Sequence, residues 1–232
     1  MNNNDFITDI IIKTAEEVMK AYHSFKNQES GITFPTYRDD DIIKKGEIRI
    51  SEQELRFLFA RELFHESILF SVETPTMEKY HKDKEKKDFT ERSGNIDLVI
   101  YENNLSKWKY IIEFKHGDNP KDIDFDFEKL YKEKGNSIFF QIIEREKYND
   151  GKTVDNLWAK YKSAAKSAFK QTTDDLKRVP VGELIIAIVI LMDSEIHIAQ
   201  FEEKDLIIDL ENADNYEKIK IEKVKKELIH NA

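Results

Sequence analysis

NIDLVIYENNLSKWKYIIEFKH, residues 95–116, decides the fold. Two β-branched runs, 95–101 and 110–115, flank a polar connection, the pattern of two strands joined by a turn. Successive strand residues point to opposite faces, so Ile111, Glu113 and Lys115 share one face while Tyr110, Ile112 and Phe114 share the other. Antiparallel pairing that sets Asp97 and Glu113 on the same face brings two carboxylates and one ammonium together near one end of a sheet. Charges in a run that is otherwise Ile, Ile and Phe are expensive on a half-buried face unless they are paired or bind an ion.

Such a cluster suits a hard cation. Mg²⁺, or Mn²⁺ in its place, takes oxygen ligands and needs only one or two protein carboxylates, the remaining positions going to water and phosphate. Bound there, it would stabilise charge on a phosphate and help form hydroxide from water. Lys115 would orient that water or stabilise the transition state.

Asp97 followed by Glu113-Phe114-Lys115 resembles the motif of the PD-(D/E)xK, or restriction endonuclease-like, nuclease superfamily. The resemblance covers roughly residues 51–193, with Ile96 standing where the family has proline. It implies an α/β fold with a mixed β-sheet flanked by helices and divalent-metal cleavage of nucleic-acid phosphodiester bonds. Asp97 and Glu113 would be the metal carboxylates and Lys115 the catalytic lysine.

Upstream, residues 51–66 have helical spacing, with Leu55, Leu58, Phe59 and Leu63 on one stripe. Ser51 and Glu54 form a capping box that marks its start. Glu52 and Glu62 fall near the apolar stripe, whereas Glu54 falls away from it and is the cap. The superfamily often adds a glutamate from its first core helix, so Glu52 is the first choice for that role and Glu62 the second.

Residues 68–72 read as a strand closed by Thr74-Pro75-Thr76. Residues 78–92, rich in both lysine and acids, read as a solvated loop. Downstream, 154–178 reads as a long helix carrying Leu157, Tyr161, Ala164, Ala168 and Leu176 on one face. Lys162, Lys166 and Lys170 step by four along a neighbouring stripe and could contact phosphates. Gln171 looks like the polar residue some superfamily members carry close to the site. The apolar run 184–192 is a strand buried on both faces, with 195–201 as its partner. Helix, three strands, helix and strand is the order the resemblance implies.

Two segments lie outside that minimum. An amphipathic N-terminal helix over 5–26 presents Phe6, Ile7, Ile10, Ile11, Ala15, Val18 and Ala21 to the core. Residues 117–152 read as an insertion after the catalytic lysine, with a helix over 122–134 and a strand over 137–143, placed to grip or gate substrate. Asp118, Asp122, Asp124 and Asp126 lack the glycine and terminal glutamate of an EF-hand. His65, His81, His197 and His230 have no zinc-ligand spacing, and His116 should point away from Lys115. The seven glycines form no nucleotide-binding loop.

A chain of 232 residues that is 40% hydrophobic can bury a core, and no linker or repeat divides it, so one domain spanning 1–232 is expected. With no cysteine, no basic N-terminal leader pattern and no apolar stretch of membrane-span length, a cytoplasmic protein without membrane contact is expected. Its abundance of Asn, Lys and Ile matches an AT-rich microbial genome. The net charge of −9 works against nucleic-acid binding, although a third of it lies in an acidic tail over 202–232, where nine acids meet six bases. A metal ion, oligomerisation or a protein partner would then supply positive charge. The expectation is a nuclease of microbial defence or DNA processing acting on nucleic acid, DNA first. The alternatives are a non-catalytic nucleic-acid- or protein-binding module of the same fold, and an acidic regulatory protein whose motif is coincidental.

Overall fold

The computed structural model describes residues 3–27, 51–80, 92–117, 123–144, 153–176, 182–201 and 217–220. In chain order they form α1 (Asn3–Asn27), α2 (Glu52–His65), β1 (Phe70–Tyr80), β2 (Arg92–Tyr101), β3 (Trp108–His116), α3 (Ile123–Lys132), β4 (Asn136–Ile143), α4 (Thr153–Leu176), β5 (Leu184–Ile190), β6 (Glu195–Phe201) and β7 (Glu217–Lys220). The strands make one seven-stranded sheet whose spatial order follows the chain. It is mixed: β1, β2 and β3 are antiparallel, β3, β4 and β5 parallel, and β5, β6 and β7 antiparallel.

Strand alternation divides the apolar residues between two layers. Leu98, Ile112, Phe114, Phe140 and Val189 face α1 and α2, whose Ile7, Ile11, Leu55, Phe59 and Leu63 are buried against them. Val99, Ile111, Phe139 and Ile188 face α3 and α4, meeting Phe127, Leu130, Trp158 and Tyr161. The sheet is thus covered on both sides by helices, the arrangement that a run as uniformly apolar as β5 requires.

Helix α2 starts where its capping box does. Ser51 N donates to Glu54 Oε2 at 2.9 Å and Ser51 Oγ accepts from Gln53 N at 3.3 Å, so both ends of the box are closed. Ser51→Ala is expected to cost about 0.5–2 kcal/mol, read as a lower urea midpoint at unchanged slope.

Three expectations change. First, β1 does not stop at Thr74-Pro75-Thr76 but runs through it to the buried Tyr80, which also removes 78–80 from the expected loop. β1 is an edge strand, where a missing N–H is tolerated, and the pairing shifts register between Pro75 and Lys79. Residues 81–91 of that loop lie outside the described residues. Second, 117–152 is not peripheral, because its strand β4 lies mid-sheet between β3 and β5. The helix and strand that follow the hairpin are therefore α3 and β4, with α4 and β5 a second such pair; β4 takes the mid-sheet position because seven of its eight residues are buried. Third, 217–220 of the expected acidic tail add to β6 as β7. The rest of 202–232 lies outside the described residues. Among the described residues no helix is long and apolar enough to cross a membrane.

Candidate functional site

The β2–β3 ladder sets Leu98 opposite Ile112 and ends there. One step further along the same register, Asp97 comes opposite Glu113. Where the ladder stops, the side chain takes over: Asp97 Oδ2 accepts the Phe114 N–H at 2.8 Å. The other oxygen, Oδ1, lies 3.5 Å from the Arg56 guanidinium. Arg56 also pairs with Glu73, a β1 residue held at a positive φ of 50°. Such a conformation in a non-glycine residue is costly and persists only where its surroundings hold it.

Glu113 is almost completely buried, and its Oε1 meets Lys129 Nζ at 2.7 Å. Lys129 Nζ also reaches Asp126 Oδ1 at 3.4 Å and the Asn95 carbonyl at 3.1 Å. Lys115 Nζ lies 2.9 Å from Asp126 Oδ2. Both short contacts are ion pairs, and among the described residues Glu113 Oε1 and Asp126 Oδ2 have no hydrogen-bond partner beyond them. Buried carboxylate oxygens in that condition are under-satisfied.

The electrostatics follow from this crowding. Burial pushes the Glu113 carboxyl well above the usual range, with Lys129 opposing and Asp97 and Asp126 adding to the rise. Burial raises Asp126 in the same way against the pull of Lys129 and Lys115. Burial alone would lower the two lysines, but Asp126 for Lys115 and Glu113 for Lys129 outweigh it and raise both. Both therefore stay ammonium ions at neutral pH.

Glu52 joins from α2. Its carboxyl is raised by burial, is drawn down by Lys115 and by the His116 backbone N–H it accepts, and is raised again by Asp97 and Asp126. Of the two helix glutamates it is Glu52 whose carboxyl feels the charges of Lys115 and Asp97, while Glu62 is taken up by Arg61 at 2.8 Å. A carboxyl raised above its unfolded value of 4.5 contributes stability below that value and loses it as pH rises through the folded one. Glu52→Gln is therefore expected to gain stability relative to the parent as pH rises above 4.5. Paired urea titrations across the acid-to-neutral range check this, and a constant difference would refute it.

The stripe on α4 lies apart in character. Lys166 and Lys170 are exposed and Lys162 is half-buried. Gln171 Nε2 donates to Glu128 Oε1 at 3.1 Å, an oxygen that Lys132 Nζ also meets at 2.7 Å, which ties α4 to α3. His116 continues β3 opposite Ile142, so its side chain leaves the strand away from Lys115.

Sequence reading missed five members of the surroundings. Arg56 stands one helical turn from Glu52, so the i, i+4 spacing carried the signal. Asp126 and Lys129, three apart, interrupt the apolar stripe of Ile123, Phe127 and Leu130. Gln141, fully buried on β4 beside Lys115, donates its amide to the Gly117 carbonyl, and its Oε1 has no partner among the described residues. Gly117, at φ 91°, is the residue on which the chain turns away from β3.

Comparison with family models, with curated proteins and with solved structures finds no match to this chain.

Proposed function

We propose that the chain is a divalent-metal-dependent nuclease of the restriction endonuclease-like kind, hydrolysing phosphodiester bonds at the end of the β2–β3 pair. The observation that carries this reading is the gathering of Asp97, Glu113, Lys115 and Glu52 from two strands and a helix around under-satisfied carboxylate oxygens. The order α2, β1, β2, β3, α3, β4 also supports it.

The donor set is hard oxygen throughout, which fits Mg²⁺ or Mn²⁺, and Asp97 and Glu113 would hold the ion. When bound, the ion supplies charge stabilisation at the phosphate and a more acidic water. The protein's own groups divide the remaining work. Lys115, fixed as an ammonium, donates to the attacking water or to a phosphate oxygen and cannot serve as a base at neutral pH. Glu52, with its carboxyl raised, suits acceptance of the proton that the water loses. Lys162, Lys166 and Lys170 would meet the phosphate backbone, with Gln171 beside them. The acidic chain would draw further positive charge from a second copy or a protein partner.

A non-catalytic binding module of the same fold is the second reading, favoured by the fact that Lys129 already neutralises Glu113. The purified chain separates the two on supercoiled plasmid and single-stranded DNA and RNA with Mg²⁺ or Mn²⁺. Cutting that stops on chelation supports the nuclease, and no cutting of any substrate by the folded chain rejects it.

A further inference from the structure

Lys129 is the cation the site now holds. Its ammonium is ringed by three oxygens from three elements: Glu113 Oε1 of β3 at 2.7 Å, the Asn95 carbonyl of β2 at 3.1 Å and Asp126 Oδ1 of α3 at 3.4 Å. The side chain is only 8% exposed. A buried ammonium is sustained by such an oxygen cage and by little else. Lys115 does not share this position, because its contact is with the other Asp126 oxygen.

We propose that Lys129 is a built-in counter-ion standing in the place of the metal, and that a divalent ion enters by displacing it, with Asp126 becoming a third carboxylate ligand. This rests on the nuclease reading and adds to it a resting state closed by the protein's own lysine. Competition for the same oxygens is the physical reason. Lys129 Nζ already meets Glu113 Oε1 at 2.7 Å and Asp126 Oδ1 at 3.4 Å, so a divalent ion that takes those oxygens as ligands would lie against the ammonium, and like charges at contact distance in a buried site repel strongly. Lys129 has the means to leave, since its ammonium sits at the end of a flexible four-carbon stem and already lies over the Phe125 ring, 5.5 Å from its centre.

Lys129→Met keeps the stem and removes the charge. Mn²⁺ binding to parent and variant, read from the electron paramagnetic resonance of the free ion, is expected to be roughly tenfold or more tighter in the variant. Equal or weaker binding by the variant overturns the counter-ion while leaving the metal site standing. Absence of binding by both overturns the metal reading itself, and the counter-ion with it. The parent chain gives an answer even where the variant fails to fold. Acetylation of its lysines, mapped by mass spectrometry, should find Lys129 protected without metal and labelled at saturating Mn²⁺. Protection unchanged by the ion would overturn the proposal.

Discussion

Alanine in place of Lys115 is expected to slow metal-dependent cleavage by roughly 10²–10³-fold, the usual cost of removing one preorganised donor from a developing oxyanion. The loss should fall on the rate under saturating substrate and not on substrate affinity, because in the proposed mechanism the ammonium meets charge that appears only in the transition state. Folding should survive. Lys115 is partly open to solvent, and Asp126, the acid it leaves behind, keeps Lys129 at 3.4 Å. Single-turnover nicking of plasmid by parent and variant, each checked by circular dichroism, gives the comparison. A variant that cuts at the parental rate would place the chemistry elsewhere, whereas one that is slow only at low substrate would make Lys115 a binding group.

The strand positions of Asp97, Glu113 and Lys115 were legible in the sequence because they depend on local rules. Alternation along 110–115 assigns faces, and a short polar connection makes antiparallel neighbours of the two runs, so the three side chains are placed before any other element is considered. The start of α2 was legible for a similar reason, since Ser51 and Glu54 report a cap within four residues. What escaped depends on distant contacts. The strand over 137–143 could be read as a strand, but its position between β3 and β5 rests on parallel pairings that cross whole helices. Without that position, 117–152 looked like an addition, and α3 had no reason to face Glu113. Asp126 then read as one of four aspartates without EF-hand spacing and Lys129 drew no reading, although both are buried in the candidate site. Pro75 misled in the opposite direction: proline breaks a central strand, and only the edge position of β1 allows the strand to continue through it.

Phe114→Ala is expected to destabilise the chain by about 3–5 kcal/mol, the largest stability loss of any substitution considered. Its ring is fully buried and packs edge-on to Phe59 of α2, with centroids 5.5 Å apart, and against Phe140 of β4 at 6.0 Å. Phe59 touches Phe140 as well, at 6.1 Å, so the three rings fasten α2 to the middle of the sheet. Alanine would leave a cavity among rings that the surrounding strands hold apart, which adds to the lost transfer energy. The same residue joins core and site, because its backbone N–H anchors Asp97 while its side chain seats the helix that carries Glu52 and Arg56. The Lys129-independent part of the site should therefore loosen with the core. Phe114→Leu, which keeps most of the volume, is expected to recover most of the stability. Urea unfolding of the two variants tests the argument: a loss below about 1 kcal/mol for alanine would mean that α2 is held by its contacts with α1 alone. A full loss with Asp97-dependent cleavage unchanged in the remaining folded fraction would separate the seating of α2 from the chemistry.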